Sequence, residues 1–485
     1  MHSTTRARWL SLLSGVSLLY NASAATRPPN VIVFLIDDMG ATDLGCMGSK
    51  FYETPNIDRL ASQGMKFTQA YSACTVCSPT RAAMMTGNYP ARLHITDWIA
   101  GSLRPFAKLR VPDWTKHLPL AEVTIAEALK PLGYATAQIG KWHLGGPEFY
   151  PTKQGFDMSL GGTDKGSPPS YFSPYKIATL PDGPDGEFLT DREAAETCKF
   201  IESNRERPFY IYLPHHAVHT PLMAKKEVIA KYQKKAASQP DYPQKNATYA
   251  ALVESVDDSV GRVVKKLEEL KLDSQTVIFF TSDNGGLVLR ETTHNLGIRA
   301  GKGSAYEGGV RVPLIVKWPG VVKPGSTCDT PVMTIDYFPT IREIAGAPAS
   351  STAQKGTAPQ RAVPEAGAPD GESLVPLLKQ TGGLKRDTLY WHYPHYHPGG
   401  ATPYAAVREG DFKLIKFYED GREELYNLRA DPLEKTDLVK PDARKAAALS
   451  AKLAAWQKSV GAQFATPNPQ HDDAKDKEGP AKKKK

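Results

Sequence analysis

The segment NVIVFLIDDMG at residues 30–40 joins six consecutive apolar residues to a pair of aspartates. An apolar run without polar alternation is typical of a strand that is buried on both faces of a parallel sheet. Similar runs follow as YATAQIG, PFYIYL, TVIFFTS and VPLIVKW, near residues 137, 210, 279 and 315. The repetition predicts a sheet of buried strands, of which residues 31–36 form one.

Helical patterns separate these runs, at residues 56–63, 124–130, 192–203 and 249–270. In the last of them, apolar residues recur at helical spacing: Leu252, Val256, Val260, Val263 and Leu267. Strands that alternate with helices predict an α/β fold, with a mostly parallel sheet and helices on both of its faces. We place this first domain at residues 25–345.

The composition changes after residue 345. Residues 346–372 are rich in Ala, Pro, Gly, Ser and Thr, which indicates a linker or a long surface loop. Residues 373–465 contain alternating segments, a hairpin turn at 409–411 and a final amphipathic helical pattern. They predict a smaller C-terminal α+β domain built on an antiparallel sheet. The basic residues 466–485 predict a disordered tail.

Residues 1–24 have the layout of a cleavable signal peptide, with a basic start, a short apolar stretch and small residues at the end. A transmembrane anchor is the alternative, but the apolar stretch is shorter than the roughly 20 residues that span a bilayer. We therefore expect an exported protein, periplasmic or extracellular, without a membrane span. The formal net charge of +8 is modest, and residues 474–485, AKDKEGPAKKKK, hold much of it. We expect no nucleic-acid partner.

Polar clusters follow four of the predicted strands: Asp37 with Asp38, Lys141 with His143, His215 with His216 and His219, and Asp283 with Asn284. In open α/β sheets, ligands bind at the carboxyl ends of the strands. One such cluster alone is equally well explained as a helix cap or a turn. Four clusters at equivalent strand ends indicate a functional site.

The chain has five cysteines, of which Cys74 and Cys77 lie three residues apart. Such a pair is found in redox motifs and as half of zinc sites. A redox pair should open a helix directly after a strand, and zinc needs further ligands at a suitable spacing. Neither pattern accompanies this pair. Because the number of cysteines is odd, at least one is unpaired or chemically altered.

Residues 77–81 read CSPTR, and six further fragments accompany them along the chain: DDMG at 37, GKWHLG at 140, HAVHTP at 216, SDNGG at 282, GKGSAYEGGVRVP at 301 and ELYNLRADPLE at 424. Together they resemble the type I sulfatases, the arylsulfatase and N-acetylgalactosamine-sulfatase-like members of the alkaline-phosphatase-like superfamily. The resemblance implies that residues 25–345 are the catalytic domain. It also implies that a separate maturation enzyme oxidises Cys77 to formylglycine. The family's frequent LTGR ending reads MTGN here, at residues 85–88.

Four of the clustered residues offer only oxygen ligands: Asp37, Asp38, Asp283 and Asn284. They favour a hard cation over zinc, and we expect Ca²⁺, with Mg²⁺ as the alternative. By resemblance, residue 77 completes the metal site. Pro79 suits the first turn of a helix, which predicts Ser78 as its cap and residue 77 at its positive end, where a sulfate ester is stabilised. An ordinary Cys77 thiolate acting as nucleophile is the alternative.

The remaining roles follow from the resemblance. Arg81 and Lys141 resemble the pair that fixes the formylglycine hydrate, one hydroxyl of which attacks sulfur. His219 and Lys302 resemble the pair at the leaving-group oxygen, either of which donates the proton to the departing alcohol. His143 resembles the base that then expels sulfate, a task for a group that titrates near neutrality.

The resemblance predicts a sulfuric ester hydrolase acting on a sulfated carbohydrate of the galactose or N-acetylgalactosamine type. Trp98, His395 and His397 would bind the sugar, or else pack the junction between the domains. His216 is the alternative to His219 for direct contact with the sulfate. Two other functions stay open: a phosphodiesterase or phosphonate hydrolase of the same superfamily, and a non-catalytic binder of sulfated glycans.

Overall fold

The computed structural model of the protein describes residues 27–102, 104–347 and 369–478. A mixed sheet of eight strands lies at its centre. From one edge to the other the strands are Ser326–Cys328, Met65–Phe67, Leu314–Lys317, Thr276–Ser282, Asn30–Ile36, Phe209–Pro214, Ala135–Ile139 and Met158–Leu160. The five strands from Thr276–Ser282 to Met158–Leu160 are all parallel, so their carboxyl ends share one edge.

The predicted strand near residue 315 runs against its neighbours. Leu314–Lys317 pairs antiparallel with both Thr276–Ser282 and Met65–Phe67. An apolar run has the same composition in either direction, so the sequence pattern located this strand without giving its orientation. The sheet is therefore mostly parallel, as expected, with one antiparallel strand inserted.

The central strand Asn30–Ile36 is buried along its whole length because both of its faces pack against helices. Ile32, Phe34 and Ile36 belong to a core shared with the helix Ala247–Glu269. Their neighbours Val31, Val33 and Leu35 point to the other face, into a second core. The period of two along a strand thus divides one apolar run between two cores.

The helices of the catalytic domain are Pro55–Gln63, Cys77–Thr86, Pro90–Leu93, Ile125–Leu129, Leu189–Ser203, Lys226–Ser238, Ala247–Glu269, Glu307–Val310 and Tyr337–Ile344. Asn246 caps the longest one, because its side chain accepts hydrogen bonds from the backbone N–H groups of Thr248 and Tyr249. The five apolar residues that predicted this helix are all buried.

A second sheet of four antiparallel strands follows in chain order: Thr388–Tyr393, Tyr404–Glu409, Phe412–Phe417 and Glu423–Asn427. Glu409 pairs with Phe412, so Gly410 and Asp411 form the two-residue turn of a hairpin. The helix Ala443–Ser459 packs on one face of this sheet. The other face packs on the catalytic domain through a cluster that includes Trp391 and Tyr71.

The residues around the predicted linker belong partly to the catalytic domain. The short helix Val375–Leu378 contributes Val375, Leu377 and Leu378 to the second core of the large sheet. The C-terminal unit therefore packs separately only after these residues, and not from residue 373. Residues 348–368 of the predicted linker lie outside the described residues.

Residues 466–478 of the predicted disordered tail include regular secondary structure. Thr466–Pro467 pairs with Leu109–Arg110, and residues 473–478 form a helix. Arg104 and Asp476 form an ion pair that ties this segment to the catalytic domain. An acidic residue of this segment thus provides a partner for the loop that contains Arg104. The described residues end at 478.

Among residues 27–102, 104–347 and 369–478, no helix has both the length and the apolar character needed to cross a bilayer. The predicted signal peptide, residues 1–24, lies outside the described residues.

Candidate active site

The polar clusters expected at the strand ends meet at one edge of the sheet. Each follows one of four adjacent parallel strands: Thr276–Ser282, Asn30–Ile36, Phe209–Pro214 and Ala135–Ile139. Asp37 and Asp283 are the first residues after their strands, which end at Ile36 and Ser282. The Asp283 N–H donates to the Ile36 carbonyl. Asp37 and Asp283, which are 246 positions apart in the sequence, therefore lie side by side.

Cys77 is the first residue of the buried helix Cys77–Thr86. The predicted cap, Ser78, is wrong: Val76 occupies the N-cap position, and no side chain caps this helix. Ser78 lies inside the first turn, where its Oγ accepts a hydrogen bond from the Ile99 N–H at 3.0 Å. Pro79 fits the first turn because it has no N–H to satisfy there. Residue 77 still lies at the positive end of the helix.

Carboxylates and the Cys77 sulfur form a compact set of ligand atoms. Those of Asp37, Cys77 and Asp283 lie within 4.8 Å of one another, and so do those of Asp37, Asp38 and His219. The fifth predicted ligand, Asn284, donates from Nδ2 to Asp38 Oδ1 at 2.7 Å.

Two buried oxygens in this set have no hydrogen-bond partner among the described residues: Oδ1 of Asp37 and Oδ1 of Asn284. An unsatisfied buried acceptor is costly, and native structures contain few of them. A hard cation takes such oxygens as ligands. The residues present therefore fit a divalent cation of the Ca²⁺ or Mg²⁺ type.

Three cations pair with the three carboxylates. Arg81 donates from Nε and Nη2 to Asp283 Oδ2, at 3.0 and 2.7 Å. Lys141 Nζ lies 2.7 Å from Asp37 Oδ2, and Lys302 Nζ lies 2.7 Å from Asp38 Oδ1. The charges of these side chains balance, so a divalent cation would make the site net positive and favour an anionic substrate.

The pKa values follow from burial and from these pairs. Burial opposes ionisation of Asp38, but Lys302 and His219 outweigh it and hold its pKa below the ordinary value. Burial raises the pKa of the Cys77 thiol even though Lys141 and Lys302 are near. Without a bound cation, an unmodified Cys77 is therefore a protonated thiol.

His143 is held in one orientation with one ring nitrogen free. Its Nε2 donates to the Ile99 carbonyl at 2.8 Å, and its buried Nδ1 has no partner among the described residues. Burial, and then the charge of Lys141, lower its pKa well below the ordinary value. Its backbone is left-handed (φ 58°), as is that of Asp38 (φ 65°), and such strain is typical of functional positions. The free Nδ1 can accept a proton.

His219 contacts the metal-ligand set from the opposite side. Its Nδ1 lies 2.8 Å from the Thr220 carbonyl and 3.2 Å from Ser167 Oγ, while its Nε2 is 3.5 Å from Asp38 Oδ2. Burial lowers its pKa to about 3. Since the bond to a carbonyl requires a proton on Nδ1, Nε2 is an acceptor, and the neighbouring charged Lys302 is the better proton donor.

One cavity of about 540 Å³ contains these groups. It is lined by Cys77, His143, His219 and Lys302, by the segments 98–100 and 164–167, and by His397 and Pro398. The predicted sugar contacts Trp98 and His397 form part of its wall, with their rings edge to face at 5.7 Å. The C-terminal domain thus contributes directly to the site.

Gly303, next to Lys302, allows the His397 ring to pack directly against the backbone of this loop. Its backbone has φ 90°, and a Cβ at this position would lie 2.0 Å from Nδ1 of His397. Only glycine combines this conformation with so close an approach. The position of His397 therefore requires glycine at residue 303 of the GKGSAYEGG segment.

Two other predicted contacts lie elsewhere. His395 is buried in the domain junction, where Nε2 pairs with Thr96 Oγ1 at 2.8 Å and the ring packs on Trp114. It does not line the cavity, which corrects the expectation of a sugar contact in favour of junction packing. His216 is also buried, with its Nδ1 2.7 Å from Glu193 Oε1, and it lines a neighbouring cavity and not this one.

Some contributors were not foreseen. The Ile99 carbonyl orients His143, and no sequence signal could reveal it because any residue has a carbonyl. Ser167 contacts His219 from the segment GGTDKGSPPSY at residues 161–171, and none of the motifs discussed above includes this serine.

Comparisons with known proteins agree with this geometry. The Sulfatase family model matches residues 29–347, and the model for the C-terminal region of N-sulphoglucosamine sulphohydrolase matches residues 301–459. A sulfatase of Formosa agariphila is 34% identical over 511 residues, which cover 89% of each chain. The N-acetylgalactosamine-6-sulfatase of Rattus norvegicus is 32% identical over 409 residues, 79% of this chain and 71% of that protein.

A solved structure extends the likeness to three dimensions. The crystal structure of Ps i-CgsB in complex with k-i-k-neocarrahexaose superposes with a TM-score of 0.73 at 28% identity, covering 93% of this chain and 96% of that one. The family match spans more than half of the chain, and it includes every residue that lines the cavity except His397 and Pro398. This chain therefore belongs to the sulfatase family and is a sulfuric ester hydrolase.

Proposed function

We propose that the protein removes sulfate from a sulfated carbohydrate of the galactose or N-acetylgalactosamine type. The convergence of Cys77, His143, His219 and Lys302 in one cavity whose wall carries Trp98 is the observation that supports this most directly. An indole face suits the apolar side of a sugar ring. The named relatives include an N-acetylgalactosamine-6-sulfatase and a structure that contains a carrageenan-type oligosaccharide by its name.

In this proposal residue 77 is formylglycine and a divalent cation, Ca²⁺ with Mg²⁺ as the alternative, is the cofactor. The cation would be held by Asp37, Asp38, Asp283, Asn284 and residue 77. It would supply positive charge against the sulfate oxygens and against the charge that develops at sulfur.

The chain's own residues then have separate tasks. Arg81 and Lys141 hold the carboxylates of Asp283 and Asp37 and so fix the surroundings of residue 77. Lys302 donates a proton to the departing alcohol oxygen, with His219 beside it as a hydrogen-bond acceptor that orients the alcohol. His143 Nδ1 accepts a proton from residue 77 when sulfate leaves.

Three further features complete the proposal. The protein is exported to the periplasm or the extracellular space after removal of residues 1–24. A separate formylglycine-generating enzyme or an equivalent acts on it as a transient partner. The catalytic domain comprises residues 25–345, followed by a linker and the C-terminal α+β domain.

The function is tested by comparing substrates. We expect turnover of an aryl sulfate to exceed that of the matching aryl phosphate diester. Both esters carry one negative charge, but the diester has a second organic group in place of one terminal oxygen that the cation and Lys302 would contact. A panel of galactose and N-acetylgalactosamine sulfates, each with one defined sulfated position, then identifies the sugar by released sulfate. Faster hydrolysis of the phosphate diester would favour the phosphodiesterase alternative, and binding without any turnover would favour the glycan binder.

Modification of residue 77 is tested by mass spectrometry of the tryptic peptide FTQAYSACTVCSPTR, residues 67–81. We expect a mass about 18 Da below that of the unmodified peptide, from oxidation of the cysteine to the aldehyde. Cys74 provides a control inside the same peptide, because it should still take up one iodoacetamide group. Two alkylated cysteines in a fully active preparation would contradict the assignment.

Cation binding is tested without reference to activity. Ca²⁺ at about 100 times its Kd should raise the free energy of unfolding by about 2.7 kcal/mol, and a chelator should reverse the effect. The melting temperature reports both changes.

Two asparagine variants make this test specific. Asn284→Ala should weaken the response to Ca²⁺ because it removes an oxygen ligand. Asn30→Ala, at the other end of a neighbouring strand, removes an equally buried amide far from the site and should retain the response. A melting temperature that neither Ca²⁺ nor Mg²⁺ changes would contradict the cation site.

A further inference from the structure

A second cavity, of about 500 Å³, adjoins the active-site cavity. Residues 164–167 line both cavities, so this loop is the wall between them. On the active-site side, Ser167 Oγ lies 3.2 Å from His219 Nδ1. A Cβ on Gly166 would lie 2.8 Å from Cε1 of His143, which shows how closely the loop packs there. A single chain segment therefore separates the second cavity from the catalytic histidines.

The lining of the second cavity combines an aromatic ring, a cation and a buried imidazole. These come from Tyr150, Lys176 and His216. Lys176 is exposed, and its Nζ makes no hydrogen bond or ion pair with any described residue. Lys165 on the shared loop differs, because Asp164 holds it at 2.9 Å. Lys176 is thus the cation left for an external anion.

The hydrogen bond to Glu193 fixes the tautomer of His216 and leaves Nε2 as an acceptor. The buried carboxylate of Glu193 lies 2.5 Å from His215 Nδ1 and 2.7 Å from His216 Nδ1. A carboxylate accepts hydrogen bonds, so both rings carry their proton on Nδ1. His215 Nε2 then accepts from Ser259, while His216 Nε2 has no partner among the described residues. Nε2 of His216 is available to accept from a hydroxyl group.

We propose that this cavity binds a second, anionic sugar residue of the substrate chain, adjacent to the residue whose sulfate is removed. The inference rests on the proposed function and extends it from a single sugar to an oligosaccharide. Tyr150 provides a face for the ring, His216 an acceptor for a hydroxyl, and Lys176 a partner for a sulfate or carboxylate. The shared loop has four residues and is therefore at most about 14 Å long. Because only this short segment separates the cavities, two neighbouring sugars of one chain can occupy them.

The proposed site differs from a groove that binds any sugar because Lys176 requires an anionic group on the ligand. A neutral sugar would use the ring face and the imidazole but would leave Lys176 without a partner. The substrate that gains most is therefore one with an anionic group on the residue next to the scissile sulfate.

The test compares two galactose oligosaccharides with the mature enzyme. One carries sulfate on two adjacent residues, and the other carries only the sulfate that is removed. We expect kcat/KM to be roughly three- to tenfold higher for the disulfated oligosaccharide, mainly through a lower KM. This is about the effect that one ion pair at the protein surface contributes to binding. Lys176→Gln should reduce this ratio to about 1. Lys234→Gln removes the same charge from an exposed position that lines neither cavity, and should keep the ratio.

A binding measurement makes the result independent of turnover. Calorimetry of the Cys77→Ala variant with both oligosaccharides should show the same preference, and Cys77→Ala/Lys176→Gln should lack it. A ratio near 1 in the wild-type enzyme, or one that survives Lys176→Gln, would overturn the proposal while hydrolysis itself stands. Lys176-dependent binding without hydrolysis of any sulfate ester would refute the proposed function and retain the second sugar site.

Discussion

Cys77→Ala is expected to abolish sulfate-ester hydrolysis, with a loss of roughly 10⁴-fold or more in kcat, as found when a covalent nucleophile is removed. Among the described residues, Cys77 is the one cysteine whose sulfur lies within 4.8 Å of the carboxylate oxygens of Asp37 and Asp283. It is therefore the candidate nucleophile of this cluster. In the proposed reaction, Lys302, His143 and His219 act on groups that are attached to residue 77 or displaced from it. Steady-state hydrolysis of an aryl sulfate measures the loss.

Cys74→Ala is the matched control. Cys74 is equally buried and lies three residues earlier, but it packs in the cluster between the two domains and does not line the cavity. It should cost some stability and retain activity. Circular dichroism should show both variants folded, because alanine is smaller than cysteine and adds no polar group. Activity of Cys77→Ala within tenfold of the wild type would contradict the role of residue 77.

The strands could be predicted because their signal is local. The apolar runs at Asn30–Ile36 and Thr276–Ser282 must be buried, and polar residues at their ends must then meet at one edge. The convergence of Asp37 with Asp283 follows from parallel pairing alone. This explains why a sequence argument could bring together residues 246 positions apart.

Features that depend on the path of the chain could not be predicted. His395 and His397 belong to one motif, yet only His397 lines the cavity, because Thr96 and Trp114 hold His395 in the junction. Ser78 is a residue type that commonly caps helices, but the extended Val76 occupies the N-cap position two residues earlier. Such choices depend on contacts between distant segments, which leave no local pattern.

The two catalytic histidines are expected to serve different halves of the reaction. His143 accepts a proton only when sulfate leaves residue 77, so His143→Ala should release one equivalent of alcohol per enzyme and then turn over slowly. His219 acts where the alcohol departs, so His219→Ala should slow the first release. General acid or base assistance is typically worth about 10²- to 10⁴-fold, which makes either loss measurable. Single-turnover assays of alcohol and of sulfate separate the two halves.

The leaving group provides an internal check on this division of labour. A phenolate leaves without needing a proton and so presents no hydroxyl for His219 Nε2 to accept from. His219→Ala should therefore impair an aryl sulfate less than a sugar sulfate, whereas His143→Ala should impair both alike. His392→Ala is the control, because that histidine is buried in the C-terminal domain, bonded to the Gln463 carbonyl and far from the cavity. It should change stability without changing the burst. A burst in His219→Ala together with none in His143→Ala would reverse the two roles, since each histidine would then be acting on the other bond.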